Sequence, residues 1–275
     1  MRFHSACRVG VLLAMVAGMS LVGMATPASA YQGAPPPAWS VFKQCPVNGT
    51  LSHGEGPVED CIFGIASEGT IDIGGLDTTF KGPGTIQGGI NYLTYPAGWA
   101  NALNGQSYSA PRQLLAKPVM AMLGNPSGVV PPAQSAVYVV SAQAGPMNFG
   151  ANSHLVSRTH LPLSFHLINP LLGPNCYVGT VGDPVVLNLT TGKSGALKGT
   201  LGIVASRGPM IYTTGTEVVD NVFSVPGATG CGPDGYWDAA IDSNNALPSA
   251  KGLNEAILYG GFDFATASQV IAHHG

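Results

Sequence analysis

Charged side chains are scarce in this sequence. Of its 275 residues, 11 are Lys or Arg and 14 are Asp or Glu, so that 9% are charged, whereas ordinary soluble proteins have about 25%. The excess of acidic over basic residues argues against a nucleic-acid partner, because phosphate backbones are bound by clusters of basic residues. The 45% of hydrophobic residues excludes an intrinsically disordered chain, which has too little apolar surface to offset the conformational entropy lost on folding.

The motifs of easily recognised enzymes are also missing. The sequence contains no Gly-x-Ser-x-Gly turn, no His-Glu-x-x-His, no phosphate-binding Gly-rich loop with Gly-Lys-Ser/Thr at the right spacing, and no twelve-residue calcium loop. We therefore expect no cofactor. An enzyme remains the alternative only if residues far apart in the sequence converge in the fold.

The first thirty residues are predicted to be a secretory signal peptide. Arg2 and Arg8 precede an uncharged apolar run over 9–24, and small residues lead up to a cleavage site after Ala30. The apolar core of about 15 residues is shorter than the roughly 20 that a membrane-spanning helix needs. No later segment is long and apolar enough to span a membrane. We expect the mature chain to be secreted, or to associate with the cell envelope without a transmembrane segment.

The cysteines indicate two disulfides. Cleavage removes Cys7 and leaves Cys45, Cys61, Cys176 and Cys231, and an even number in an exported chain is typical of a disulfide framework. Four cysteines allow three pairings. We favour Cys45 with Cys61 and Cys176 with Cys231, because local pairs form readily. A zinc site is excluded, since no two of these cysteines stand two to four residues apart.

The fold is predicted to be mainly β. The 38 glycines and 22 prolines are typical of many short strands joined by tight turns, and alternation with the long helices of a parallel α/β sheet is absent. The clearest strand covers 160–167, where apolar residues alternate with other residues. Further strands are predicted at 62–65, 70–73, 78–80, 85–86, 185–189, 197–204, 209–213, 216–219 and 256–262. We predict an antiparallel two-layer β-sandwich, with a barrel as the alternative.

The chain divides into three parts. The signal peptide covers 1–30, a proline-rich leader covers 31–44, and a single β-rich domain covers 45–275. Within the domain, a region at about 91–150 reads as an inserted loop and helix region, because its apolar residues have partly helical spacing that Pro118 interrupts. Two other short helices are predicted, one over 235–247 and one from an apolar stripe of Phe264, Ala267, Val270 and Ile271.

Three aspartates recur at intervals of four residues. On a helix, Asp238 and Asp242 lie on one face, close enough to share a cation with Asp234 or to divide acid and base roles. The alternative is structural, because acidic residues stabilise the first turn of a helix and Asp234 is placed to cap it. Asp238 and Asp242 are thus the candidates for a catalytic pair, and all three are candidates for a metal site.

Aromatic residues cluster in the inserted region. Tyr92, Tyr95, Trp99 and Tyr108 lie among asparagines and a glutamine, a mixture that can stack on sugar rings and hydrogen-bond to their hydroxyl groups. Packing of the insertion against the sheet is the alternative explanation.

Several blocks resemble a family of secreted actinobacterial proteins of unknown function. The blocks are NCYVG at 175–179, PVVLNLTTG at 184–192, VDNVFSVPGATGC at 219–231 and LPSA at 247–250. The similarity covers about 45–90 and 155–272 and omits the inserted region. The resemblance implies export and a common β-rich core with paired cysteines. It implies no activity and no catalytic residue.

We therefore expect a non-catalytic extracellular or envelope-associated binding or structural module. A surface with few charges either associates with copies of itself or faces glycan, lipid or protein. The expected partners are cell-wall glycan, envelope lipid or a second copy of the chain. The alternative is a secreted hydrolase with a carboxylate site that acts on a glycan or an ester.

Overall fold

A computed structural model describes residues 39–52, 56–91, 98–151 and 156–274. The predicted signal peptide, most of the leader, and both Tyr92 and Tyr95 lie outside these residues. The mainly β, antiparallel fold is confirmed. Among the described residues, no helix is both long enough and apolar enough to cross a membrane.

Seventeen strands are found in the described residues. They are β1 Asp60–Ile73, β2 Leu76–Ile90, β3 Trp99–Asn101, β4 Tyr108–Ser109, β5 Gln113–Leu114, β6 Tyr138–Gln143, β7 Asn148–Ala151, β8 Ser157–Ile168, β9 Tyr177–Val178, β10 Val185–Thr190, β11 Lys193–Ser194, β12 Leu197–Lys198, β13 Ile203–Arg207, β14 Met210–Thr214, β15 Thr216–Asp220, β16 Ala228–Thr229 and β17 Glu255–Thr266.

The helices are short. They are α1 Val119–Met122, α2 Pro132–Ser135, α3 Asp238–Asn244 and α4 Ala267–His274, with 3-10 turns at Ser40–Phe42 and Pro233–Gly235. The two helices predicted near the C-terminus are both present as α3 and α4. Phe264 was predicted to lie on the last helix, but it belongs to β17.

One antiparallel sheet curls around the core. Its central path runs β8, β10, β15, β17, β1, β2, and β6 pairs with the far side of β8. An isolated bridge between Thr78 and Leu115 joins β2 to the end of β5, which pairs with β6. The side-chain amide of Gln113 strengthens this closure, because it accepts from Lys81 N–H and donates to Lys81 O, both at 2.9 Å. The two halves of the sheet therefore face each other across a shared core.

The first two strands are much longer than predicted. Four short runs between 62 and 86 merge into β1 and β2, which pair along almost their whole length with a register shift between Ala66 and Glu68. Gly82 lies between the strands predicted at 78–80 and 85–86, and the chain does not reverse there. A Cβ at Gly82 would lie 2.2 Å from Ala66 O, so this glycine allows a close backbone approach inside the pair. The predicted strand over 197–204 is instead divided between β12 and β13.

The inserted region contributes to the sheet. The predicted helix near 114–123 exists as the four residues of α1, with Pro118 as its N-cap. The same region also supplies β3 to β7, which are short and were not predicted. Phe42, within the predicted leader, is only 2% exposed and packs with Cys45 and Cys61.

Both favoured disulfides are present. Cys45 pairs with Cys61 and Cys176 pairs with Cys231, with Cα–Cα distances of 5.7 and 4.1 Å. The first links the segment after the N-terminal 3-10 turn to β1, and the second links the residue before β9 to the loop between β16 and the second 3-10 turn. The predicted buried face of β8 is also confirmed. Its core residues are Leu161, Leu163, Phe165 and Leu167.

Candidate functional site

The aspartates of α3 bind the chain's own backbone. Asp238 and Asp242 lie one turn apart, as predicted, but Asp238 accepts hydrogen bonds from the N–H groups of Cys231 at 2.7 Å and Gly230 at 3.1 Å. Asp242 accepts from Ala228 N–H at 2.7 Å. These carboxylates therefore hold the loop that carries Cys231 through hydrogen bonds to its backbone.

The proposed metal site does not assemble in the described part of the chain. No group of three or more His, Cys, Asp or Glu side chains there could hold a metal ion. Asp234 is exposed and sits in the 3-10 turn before α3, with a left-handed φ of 50°. The N-cap residue of that turn is Gly232 and the N-cap residue of α3 is Trp237, so Asp234 occupies neither capping position.

The two described aromatic residues of the predicted sugar platform are packing residues. Trp99 is 3% exposed, and its indole N–H donates to Ser107 Oγ at 3.3 Å. The Tyr108 hydroxyl lies 2.6 Å from Ser141 Oγ, and burial raises the pKa of Tyr108 to about 12 despite this hydrogen bond. The Trp99 ring is therefore not available to stack on a sugar, and the partly buried Tyr108 ring packs against the core. Tyr92 and Tyr95 lie outside the described residues.

An apolar cavity lies where β13 and β14 meet β17, and we call it the mouth cavity. It has a volume of about 300 Å³. Its lining residues are Asp60, Phe149, Ser157, Leu201, Val204, Pro209, Ile211, Thr213, Phe262, Phe264, Ala265, Thr266 and Gln269.

Strand alternation explains why this cavity is apolar. On β17, Phe262 and Phe264 point to the same side of the sheet because side chains alternate along a strand. Phe149 on β7 approaches both rings, with centroid distances of 5.7 and 5.8 Å, and the two rings of β17 are 6.1 Å apart. Three aromatic rings therefore form one wall of the mouth cavity.

The neighbouring wall is the β13–β14 hairpin, which pairs with β17 over a short length. Only Ile211 and Tyr212 of β14 pair with β17. The hairpin exposes apolar side chains, with Ile203 at 73%, Val204 at 47% and Ile211 at 49%. Val204 and Ile211 belong both to this exposed surface and to the cavity lining, so the cavity is continuous with an exposed apolar edge.

The charge around the mouth cavity is low and negative. Asp60 is the one ionisable residue among the lining residues of the described chain, and none of them is basic. On the adjacent position of β17, burial raises the pKa of Asp263 to about 6, while the guanidinium of Arg207 acts in the opposite direction.

Two smaller cavities continue from the mouth cavity into the core. The middle cavity, of about 70 Å³, shares Phe262 with the mouth cavity and is lined mainly by aliphatic side chains such as Leu187. The end cavity, of about 20 Å³, shares Ile71 and Phe80 with the middle one. Three apolar spaces thus follow one another between the halves of the sheet.

A second, polar cleft lies at the register shift of β1. It has a volume of about 530 Å³, and its walls include Glu68, Glu217 and Tyr259 with several Ser, Thr and Gly residues. Tyr259 is paired with Glu68 on one side and with Glu217 on the other. Its hydroxyl donates to Glu217 Oε1 at 3.4 Å. Partial burial, then Glu217 and Glu68, raise the pKa of Tyr259.

The sequence analysis identified neither the mouth cavity nor the polar cleft. Phe149 and Phe262 of the mouth cavity lie on different strands, as do Glu217 and Glu68 of the polar cleft. Only the pairing of those strands places the members of each site close together. One local signal was available: Ile203 and Val204 are adjacent apolar residues in a short strand, so at least one of them must lie off the buried face.

Comparison with protein-family models, with curated proteins and with solved structures found no match to this chain.

Proposed function

We propose that the mature protein is a secreted, non-catalytic binding module that holds a neutral lipid-like molecule in the mouth cavity. The observation that carries this proposal is the apolar cavity of about 300 Å³ at the open edge of the curled sheet. Ligand pockets are typically apolar spaces of at least about this size with a few polar groups, and they often occur where a closed sheet opens.

The lining favours an alkyl chain as the bound group. Each methylene moved from water into such a cavity contributes about 0.8 kcal/mol. Six of them would contribute about 5 kcal/mol before the cost of association is subtracted. Of the polar side chains in the lining, Thr213 and Ser157 are buried and hydrogen-bonded within the fold. Thr266 is exposed and Gln269 is partly exposed, so these two are placed to meet a hydroxyl or ester head group.

The charge favours a neutral head group. A carboxylate or phosphate would approach Asp60 and would meet no basic residue in the lining, and burying an uncompensated charge is costly. Of the partners expected from the sequence, this geometry supports envelope lipid over cell-wall glycan.

Export is the second part of the proposal. The predicted signal peptide supports it, and two disulfides are typical of an oxidising compartment. The resemblance to secreted actinobacterial proteins agrees with export, and we retain that relationship as a proposal supported by the CYVG, LNLTTG and GATGC blocks.

The test is displacement of a fluorescent naphthylamine probe from the oxidised mature protein by decanol, by monodecanoylglycerol and by decanoate. The neutral ligands should displace the probe, and decanoate at neutral pH should do so at least tenfold less well. Val204→Asp should weaken binding at least tenfold. Val222→Asp is the matched control, because Val222 is 42% exposed and lies outside the cavity lining.

Equal binding by Val204→Asp and by the wild type would overturn the proposal. Sedimentation of the same samples tests whether the hairpin forms a dimer contact instead of a ligand site. A dimer that Val204→Asp dissociates, with no ligand bound by the wild type, would show that the hairpin contacts a second copy of the chain.

A hydrolase is the second candidate, and one observation favours it. Glu68 and Glu217 flank Tyr259 in the polar cleft, and paired carboxylates can act as acid and base on a glycan or an ester. This moves the carboxylate site away from Asp238 and Asp242, whose oxygens bind backbone N–H groups.

Chromogenic glycosides and esters test this candidate. Glu68→Gln and Glu217→Gln should each abolish turnover, whereas Glu59→Gln, at an exposed position outside the cleft, should not. No turnover by the wild type, or unchanged turnover in both cleft variants, would eliminate the hydrolase.

A further inference from the structure

We propose that Phe262 determines the length of the alkyl chain that the protein binds, because its ring separates the mouth cavity from the middle cavity. This inference rests on the proposed function. Phe262 is the residue that lines both spaces, and its side chain is only 8% exposed.

The backbone of Phe262 is held in place, so the ring has a defined position. Its N–H donates to Thr213 Oγ1 at 2.9 Å. Thr213 Oγ1 in turn accepts from Thr216 Oγ1 at 3.1 Å. These bonds connect Phe262 to β14 and to the start of β15, on the side of β17 away from β1.

On the other side, the ring fills the space next to a glycine. Gly64 on β1 is the register partner of Phe262. A Cβ at Gly64 would lie 2.9 Å from Phe262 Cδ1 and 2.7 Å from Ile86 Cγ1. The ring and Ile86 thus close the gap that the glycine leaves between β1 and β17.

The space behind the ring suits an alkyl chain. Most of the middle cavity is lined by aliphatic and aromatic side chains, and the Tyr108 hydroxyl in its wall is already hydrogen-bonded to Ser141. Apolar cavities of this kind stay dry and accept apolar molecules. A chain that fills the mouth cavity therefore stops at Phe262, and replacement of the ring by a smaller or more flexible side chain opens a continuous path.

Affinities of straight-chain alcohols from hexanol to tetradecanol test this directly. Each methylene that remains in contact with the lining should raise the affinity about fourfold, which corresponds to about 0.8 kcal/mol. In the wild type the affinity should stop rising at the length that fills the mouth cavity. In Phe262→Leu this plateau should move to chains longer by about two carbons or more.

Phe149→Leu is the matched control, because Phe149 lines the mouth cavity and not the middle one. It enlarges the mouth without opening the partition, so the plateau should stay within one carbon of the wild type. Phe262→Met, which nearly conserves volume and is flexible, replaces Phe262→Leu if the latter fails to fold.

The outcomes separate the two proposals. Saturable binding by the wild type with a plateau that neither Phe262 variant moves, or that Phe149→Leu moves equally, would overturn the role of Phe262 alone. No binding by the wild type at any chain length would overturn the proposed function, and this inference with it.

Discussion

Phe262 and Gly64 face each other across the pairing of β17 with β1, and the ring occupies the space where a side chain at position 64 would lie. Because a Cβ there would come within 3 Å of both Phe262 and Ile86, the position of the Phe262 ring requires a residue without a side chain at position 64. Packing inside the curled sheet and access to its interior therefore depend on the same pair.

Gly64→Ala should destabilise the protein. The added methyl group must displace the buried Phe262 ring and the partly buried Ile86 side chain, and overpacking of this kind costs about 1–3 kcal/mol. Urea unfolding of the oxidised protein measures the change. Gly182→Ala is the control, because only Thr180 Oγ1 lies within 4 Å of its added Cβ. Equal stability of the two variants would show that the Phe262 ring moves aside without cost.

Asp238→Ala should lower stability by about 1–3 kcal/mol, because the N–H groups of Gly230 and Cys231 lose a charged acceptor. Asp234→Ala, at an exposed position, should change stability by no more than about 0.5 kcal/mol. Thermal unfolding with and without added calcium distinguishes this role from metal binding. Calcium stabilisation that disappears in Asp238→Ala would contradict the structural assignment.

Asp263 should make stability depend on pH. Burial raises the pKa of Asp263 to about 6 in the folded protein, whereas an unfolded Asp has a pKa of about 3.9. The folded state therefore binds this proton more tightly, and the contribution of Asp263 to the free energy of unfolding falls as pH rises from about 4 to about 6.

The test compares Asp263→Asn with the wild type in unfolding experiments across this pH range. The variant, which stays neutral, should be more stable than the wild type above about pH 6 and equal to it below about pH 4. Asp183→Asn, at an exposed position, should show no such pH-dependent difference. A variant that loses stability at pH 8 would show that the charge of Asp263 is needed for its interaction with Arg207.

Trp99→Ala should weaken folding and leave glycan binding unchanged. The indole is buried and bonded to Ser107, and replacement of a buried Trp by Ala costs about 3–5 kcal/mol. Tyr108→Phe, which removes only the hydroxyl next to Ser141, should cost about 1 kcal/mol. Retention of the folded variants on cell-wall fractions is the second readout. If the wild type binds a cell-wall fraction and a folded Trp99→Ala protein does not, Trp99 contributes to glycan binding and the sugar-platform prediction is supported.

Local sequence patterns were reliable where a single strand or helix carries them. The alternation in 160–167 predicted the buried face of β8, and the spacing after Pro233 predicted α3. The same patterns were unreliable where a glycine permits close packing. Gly82 lies between the strands predicted at 78–80 and 85–86, but both belong to β2, and the absence of a side chain at Gly82 lets β2 approach Ala66 O.

The candidate site could not be predicted in this way. Phe149, Phe262 and Val204 come from three separate segments, and nothing in the local sequence of any one of them indicates a cavity. Asp238 and Asp242 were correctly placed on one helix face, but the backbone N–H groups that occupy them belong to the preceding loop.

By itself, the sequence determined the mainly antiparallel β character, because alternation and turn residues act over short distances along the chain. It favoured the disulfide pairing that is present but left three pairings open, and the fold decided among them. Only the tertiary structure decided how the sheet closes, which carboxylates remain available and where apolar space is left. These properties depend on which distant strands pair and in what register, and a shift of one residue would turn Phe262 to the opposite face.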